Sequence, residues 1–351
     1  MSRVTIPFFV SNQGCPHVCA FCDQRTINGS DGALPTRNEI SAKIMAWRRT
    51  SGNRPMEVAF FGGTFTGLPR EIQENLLSAA RPFFLSGDVD SIRISTRPDA
   101  LNADIVRWLS GWGVKTIEIG AQSMDDDVLA ASGRGHNAEA SLKALSCVKS
   151  AGLTVGVQLM PGLPGDTIAK SQNSLRRVIA AGADFIRLYP VVVLKGTELA
   201  ERYLSGKYRA ISVDDGLALC KTLAHMAFTS GVKVIRMGLQ ADAGIREENI
   251  VAGCWHPAFG DLVYSELFYD LLALTKSCHG FSDGPVTVAC HPSRVSNVAG
   301  HARNNIRRLG EQGFVIRRII PDPALSVFEC DVRTLNRYAK KSIILDLSYD
   351  A

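Results

Sequence analysis

The chain has 351 residues, 46% of them hydrophobic and 21% charged, with a net charge of +5. That is enough apolar content for one large domain and a smaller one, and no apolar run approaches the roughly 18 residues that would span a bilayer. A strand pattern opens at Thr5 where a leader peptide would stand, and nine scattered cysteines in a chain rich in core residues exclude a disulfide framework, so the expectation is a cytoplasmic protein with reduced thiols and no membrane partner.

Six short apolar runs, at residues 5–10, 57–61, 91–95, 115–119, 153–159 and 184–189, read as strands, with amphipathic helical patterns between them. Thr36 and Glu39 form a capping box ahead of Ile40, Ile44 and Trp47. Asn102 and Asn137 stand where helix caps are needed for residues 103–111 and 138–151. Six βα units in series predict a parallel sheet, either doubly wound or a partial barrel. Beyond Pro190 the pattern changes. Residues 195–206 and 214–230 read as helices, 232–235 as a further strand and 261–278 as a long amphipathic helix. Gly280–Pro285 reads as a linker. After it, residues 286–290, 295–312 and 314–319 read as strand, helix and strand. The domain expectation is therefore a core at 1–190, an extension covering the substrate side at 191–279, and a small basic αβ domain at 285–351.

Near the start, Cys15, Cys19 and Cys22 stand at C-x3-C-x2-C spacing in the loop after the first strand. Three thiolates converging from one loop make a soft-metal site with an open position, which fits an iron–sulfur cluster with one exchangeable iron. A zinc site completed by His17 is the alternative. Against it, a single short loop would have to supply all four tetrahedral ligands.

The strand ends narrow the fold. The second strand runs into Gly62-Gly63-Thr64, the third into Ser95-Thr96-Arg97-Pro98-Asp99, the fourth into Gly120-Ala121-Gln122-Ser123, and the fifth through Gln158 into Pro161-Gly162-Leu163-Pro164-Gly165-Asp166. The sixth carries Arg187 and Tyr189. Polar and glycine-rich residues at successive strand ends describe one face with one site, as in βα barrels.

In this order the motifs resemble the radical S-adenosylmethionine (SAM) superfamily. The resemblance implies an α/β fold, a partial (β/α)6 TIM-type barrel with a small C-terminal αβ domain, and a 4Fe–4S cluster on Cys15, Cys19 and Cys22. It further implies SAM bound by Phe21, by the Gly62-Gly63-Thr64 element, by Ser95 and Arg97 near the carboxylate and ribose, and by Gln122 and Gln158 along the adenosine. Thr64 departs from the glutamate usual in that element, a change that a backbone contact tolerates. The implied chemistry is reductive cleavage of SAM to a 5′-deoxyadenosyl radical, fed by a one-electron reductant of flavodoxin or ferredoxin type. No side chain is nominated as a general base. Tyr189, Lys195 and Arg236 are expected on the substrate side.

Several stretches, among them Phe60-Phe61-Gly62-Gly63-Thr64-Phe65, Arg187-Leu188-Tyr189-Pro190 and His256-Pro257-Ala258-Phe259-Gly260, are similar to the radical SAM part of the Elongator catalytic subunit and its short prokaryotic relatives. Elongator modifies the wobble uridine of tRNA and uses acetyl-CoA through an acetyltransferase domain. The expectation here is a radical step on RNA, with no acetyltransferase domain in this chain. The cysteine spacing is the general radical SAM one and not Elongator's longer first gap. The residues from Pro285 to Ala351 carry ten Arg and Lys against six acids, and so +4 of the net +5. They suit a polyanionic partner and equally a solvated surface. Gly300-His301-Ala302-Arg303, followed by Arg307, resembles the Gly-x-x-Gly clamp of KH-type RNA modules with only its first glycine. A tetrapyrrole or other metabolite is the alternative substrate, since coproporphyrinogen-oxidase-like proteins share this core. A non-catalytic metal-bearing RNA-binding protein is a third reading.

Overall fold

The computed structural model describes residues 3–10, 13–23, 32–239, 247–281, 284–334 and 337–349. Seven strands form one parallel sheet: β1 (Val4–Phe9), β2 (Met56–Phe61), β3 (Ser91–Thr96), β4 (Val114–Gln122), β5 (Thr154–Leu159), β6 (Phe185–Leu188) and β8 (Lys233–Met237), in the order β1-β2-β3-β4-β5-β6-β8. The helices between them include α1 (Arg37–Ser51), α2 (Arg70–Leu85), α3 (Ala103–Gly111), α4 (Asp126–Ala131), α5 (Ala138–Ser150), α6 (Ile168–Ala180), α7 (Glu198–Leu204), α8 (Val213–Thr229) and α9 (Phe259–His279). The predicted caps are in place. Thr36 and Glu39 close a reciprocal capping box on α1, and the side chains of Asn102 and Asn137 accept from the first turns of α3 and α5. Each such cap contributes about 1 kcal/mol.

Alternation along the strands curls the sheet. Met56, Val58 and Phe60, Ile92 and Ile94, Ile117 and Ile119, Val155 and Val157, and Ile186 and Leu188 join the helix faces in one hydrophobic core. Among the intervening residues, four on neighbouring strands are charged: Glu57, Arg93, Glu118 and Arg187. Fully buried Glu57 pairs with Arg93 at 2.6 Å, Arg93 with Glu118 at 2.7 Å, and Glu118 with Arg187 at 2.7 Å. Arg187 then donates to the Tyr189 hydroxyl at 3.0 Å. A ladder of alternating charge thus crosses the concave face of a seven-stranded half-barrel. The six expected strands are present, and the further strand expected at 232–235 is β8, which extends the sheet by one more.

The later chain departs from expectation in three places. First, two short strands were not expected: β7 (Val192–Leu194) pairs antiparallel with β9 (Ile250–Gly253), and the helix expected over 195–206 is the shorter α7. Second, the helix expected over 295–312 is broken into α10 (Val295–Ala299) and α11 (Asn304–Glu311). Left-handed backbone at Ala302 (φ 48°) and Arg303 (φ 61°), after Gly300 (φ 78°), turns the chain between them. Apolar periodicity passes over such a break unnoticed, because both halves keep their buried faces. Third, the Gly280–Pro285 linker is anchored. Phe281 is 1% exposed and meets Phe314 edge-on at 6.2 Å; residues 282 and 283 of that stretch lie outside the described residues.

The C-terminal sheet has the order β11-β10-β12-β13, from β10 (Val286–Cys290), β11 (Ile316–Pro321), β12 (Glu329–Arg333) and β13 (Tyr338–Ser342), followed by the short α12 (Ile343–Asp346). Its buried residues Val286, Val288, Cys290, Val332 and Ile343 belong to the same core cluster as the half-barrel. Phe228 of α8 packs on Phe328 at 4.7 Å, and a ring nitrogen of His225 meets the Ile343 carbonyl at 3.1 Å. Among the described residues, no helix is long and apolar enough to cross a membrane.

Candidate active site

The cysteine loop follows β1 and is held between two other loops. Toward β2 the contact is backbone on backbone. A Cβ on Gly63 would lie 2.4 Å from the carbonyl oxygens of Val10 and Gln13, and one on Gly67 would lie 2.2 Å from the Gly14 carbonyl. Gly14 itself has φ 70°, and a Cβ there would meet the Thr64 carbonyl at 2.2 Å. Only glycine permits so close an approach. The Thr64 amide donates to the Gln13 carbonyl at 3.0 Å, and its hydroxyl lies 3.1 Å from the Cys15 sulfur.

On the other side stands the turn Ser132-Gly133-Arg134-Gly135-His136. The Ala20 amide donates to the Ser132 carbonyl at 3.0 Å, and Arg134 Nη1 donates to the Cys19 sulfur at 3.3 Å. The His17 ring lies against Gly135, within 2.5 Å of where a Cβ would sit. Cys15 is exposed, Cys19 buried and Cys22 half-buried. Among the described residues, no three His, Cys, Asp or Glu side chains converge as ligands of a single ion. Phe21 packs with Met160 on a separate apolar cluster that includes Val128, Leu163, Val193 and Tyr208.

The remaining sequence-predicted residues lie at neighbouring strand ends. Ser95 is half-buried at the end of β3. Arg97, 3% exposed, grips Asp99 with two hydrogen bonds of 2.9 and 2.8 Å and donates also to the Arg134 carbonyl. Burial works against ionisation of Asp99, yet the hydrogen bonds and charge of Arg97 hold its carboxyl below the usual range. Gln122 takes left-handed backbone (φ 70°) at the irregularity where β4 meets β5, and accepts from Gln158 Nε2 at 3.2 Å. The loop after β5 is closed by Asp166, which accepts from the Gly162 amide at 2.8 Å, Ser171 Oγ at 2.6 Å and the Thr167 amide at 2.9 Å. Burial nevertheless pushes the Asp166 carboxyl up.

Sequence reasoning missed Arg134 and His136. Arg134 is 5% exposed, and its Nε is buried without a hydrogen-bond partner. Both ring nitrogens of His136 are likewise buried without one, the Ala121 backbone lying near but forming no well-shaped bond. Burial and the Arg134 charge lower its pKa to about 4, so the ring is neutral at pH 7. The available signal was the pair Gly133 and Gly135 flanking a cation just after α4. The substrate-side expectations divide. The Tyr189 hydroxyl ends the charge ladder, Arg236 pairs in register with Arg187, and Lys195 is exposed beyond β7.

Comparison with known proteins agrees with this arrangement. The family model described as "Radical SAM superfamily" matches residues 9–178, and the "Radical_SAM C-terminal domain" matches residues 183–268. The chain is 28% identical over 174 residues to the tRNA uridine(34) acetyltransferase of Methanocaldococcus infernus, a match covering 49% of this chain and 32% of that protein. It thus spans about a third of that relative. It is 25% identical over 320 residues to the heme chaperone HemW of Bacillus subtilis, covering 90% of this chain and 77% of that one. The solved structure of Methanocaldococcus infernus Elp3 lacking its N-terminus shares the fold, with a TM-score of 0.61 and 20% identity over 94% of this chain and 73% of that chain. By its two matched domains and its half-barrel, this chain belongs to the radical SAM superfamily, whose enzymes use a 4Fe–4S cluster and S-adenosylmethionine.

Proposed function

We propose that Cys15, Cys19 and Cys22 hold the cluster, that the strand-end residues hold SAM, and that the enzyme modifies RNA, a tRNA foremost. The donor set fits the cluster. In a 4Fe–4S cube each thiolate holds its own iron, so the three sulfurs stand farther apart than ligands of one ion. The surrounding pocket keeps polar atoms in reserve: Arg97 Nη1, Arg134 Nε and both His136 nitrogens are buried without partners, as groups awaiting a polar ligand are. When bound, the cluster and SAM, fed by a one-electron donor of flavodoxin or ferredoxin type, supply a 5′-deoxyadenosyl radical that takes hydrogen from an unactivated carbon. The chain's own residues position and enclose. The Gly62-Gly63-Thr64 backbone would hold the SAM amino group, Ser95 and Arg97 its carboxylate and ribose, and Phe21, Gln122 and Gln158 its adenosine. None of them is required to act as a base.

The RNA reading is supported by one observation above others, the placement of the basic Gly300–Arg303 turn. α9 starts against the end of β8, where a Cβ on Gly238 would lie 2.6 Å from the Phe259 Cβ. His256, just ahead of α9, meets His301 edge-on at 5.5 Å. The turn therefore stands beside a strand end, with Arg303 exposed on it and Arg307 exposed on α11 just after it. Between α8, α9 and α11 lies a cavity of about 610 Å³ whose lining includes Lys221, Arg307 and Arg308 together with Asp214 and Glu266; Lys221 pairs with Asp270 and Arg308 with Glu266. The exposed guanidinium groups of Arg303 and Arg307 fit phosphates, and the matched acetyltransferase acts on a tRNA uridine by its name. The match to a heme chaperone over 90% of the chain favours a tetrapyrrole as the second reading.

Reconstituted anaerobically, the protein should show a 4Fe–4S spectrum and release 5′-deoxyadenosine from SAM after dithionite reduction. It should retain tRNA at moderate salt, and charge reversal of Arg303 and Arg307 should abolish that retention while SAM cleavage persists. Mass spectrometry of tRNA nucleosides from a strain lacking the gene should show one modification missing. An unchanged nucleoside profile together with porphyrin binding would replace RNA with the tetrapyrrole.

A further inference from the structure

The sulfurs of Cys15 and Cys19 each lie against a polar group of a buried side chain. Thr64, fully buried, has its hydroxyl 3.1 Å from Cys15 Sγ. Against a thiolate, which can only accept, that hydroxyl is the donor. Arg134 reaches Cys19 Sγ with Nη1 at 3.3 Å. Its position is fixed from two sides: Nη2 donates to the Gly120 carbonyl at the end of β4, and its own carbonyl receives Arg97, while the neighbouring Gly135 packs against the His17 ring.

The charge balance here is unusual. Arg97 is neutralised by Asp99. Among the described residues, no carboxylate pairs with Arg134, although it is 5% exposed. A buried cation without a counter-ion is costly, so the site calls for an anion next to Arg134. The Cys19 sulfur that it touches is that anion when deprotonated and bound to iron.

We propose that Arg134 and Thr64 are positioning residues that set the reduction potential of the cluster held by Cys15, Cys19 and Cys22; the proposal rests on the ligand assignment made above. Reduction brings one electron into the cluster from an external one-electron donor. No bond to the chain is made or broken, and both protons stay on their donors. The added negative charge spreads onto the sulfurs, so donors aimed at them favour the reduced state and raise the potential. A charged donor in a buried site is about twice as effective as a neutral one, so Arg134 outweighs Thr64.

The test uses the full-length chain, reconstituted anaerobically, as wild type and as Arg134→Gln, Arg134→Lys and Thr64→Val. Iron and sulfide content are measured first, and then a redox titration is followed by the electron paramagnetic resonance of the reduced cluster. SAM affinity is measured separately. At the wild-type midpoint, Arg134→Gln should lower the ratio of reduced to oxidised cluster about tenfold, which is 59 mV for a one-electron couple. Thr64→Val, which keeps shape and loses the hydroxyl, should lower it about threefold, and Arg134→Lys should fall between. Full iron content with ratios within twofold of wild type overturns the proposal. So does weakened SAM binding at an unchanged potential, which would make Arg134 a SAM ligand. Loss of iron from all three variants also overturns it, since the two residues would then be supports of the loop. The underlying assignment fails separately, if the triple variant Cys15→Ala, Cys19→Ala, Cys22→Ala still holds a cluster.

Discussion

Removal of the Glu118 carboxylate should be among the most damaging single changes to stability. Glu118 side chain is 6% exposed and serves two guanidinium groups, with contacts of 2.7 Å to Arg93 and of 2.7 and 2.8 Å to Arg187. Arg93 keeps Glu57 at 2.6 Å if Glu118 is lost. Among the described residues, Arg187 then keeps only the Tyr189 hydroxyl and the Phe61 ring, 5.3 Å from its guanidinium. Glu118→Ala therefore leaves one buried, unpaired cation. At an effective dielectric of about 20, charges about 4 Å apart attract by roughly 4 kcal/mol. Breaking one side of a buried pair costs about 3–5 kcal/mol, which is a large part of a total stability of about 5–15 kcal/mol. Equilibrium urea unfolding followed by circular dichroism should show a shift of that size at an unchanged slope. Replacing both partners by apolar residues, Glu118→Leu with Arg187→Met, should recover most of the loss, because a well-packed apolar pair substitutes for a buried ion pair at little cost. A loss below about 1 kcal/mol for Glu118→Ala, or a double variant no better than the single one, would refute the ladder as a stabilising element.

Phe281→Ala should cost about 3–5 kcal/mol, the usual toll of emptying a buried aromatic site, and should loosen the C-terminal sheet; proteolysis confined to the exposed loops alone would contradict this. Gly63→Ala drives a methyl into the Val10 and Gln13 carbonyls, 2.4 Å away, so iron uptake on reconstitution should fall at least tenfold while far-ultraviolet circular dichroism is preserved. His136 titrates at about 4 when folded and near 6.5 when unfolded, with Asp99, Arg97 and Arg134 as its charged neighbours. Its folded pKa is lowered, so the stability it allows is complete above pH 6.5 and is lost as pH falls toward 4. His136→Gln should flatten that limb of the pH–stability curve measured by urea midpoints from pH 7 to 5, and an unchanged limb would show that the ring is not the titrating group.

The half-barrel was legible because its strands obey two simple periods at once. Apolar residues alternate toward the helices, and polar residues collect where each strand ends, so both the sheet and its working face follow from spacing. The inward charges were harder to read. Glu57, Arg93, Glu118 and Arg187 look like surface alternation until the sheet curls, and only then do they meet one another. β7 and β9 escaped because three or four apolar residues carry no usable period. The break at Ala302 and Arg303 escaped because neither is a residue that advertises left-handed backbone. Of the site, the residues in motifs were found, including the cysteines, the paired glycines, Arg97, Gln122 and Gln158. Arg134 and His136 were not, because their importance lies in what they touch, for Arg134 a sulfur 115 residues away, and spacing alone carries no such information.

The Phe281 anchor has one more consequence. Since the C-terminal sheet shares a core with α8 and α9, the turn bearing Arg303 is not on a tether. On the RNA reading proposed above, a polymer gripped there would be held at a set distance and angle from the mouth of the half-barrel, and the protein would act as a ruler. Such a polymer would be measured from its point of attachment to the reactive position, and only those shapes that span the gauge would present an atom to the site. Selectivity of that kind resides in geometry between two contacts, so lengthening the 280–285 connection would blur which position is chosen before it weakened the grip.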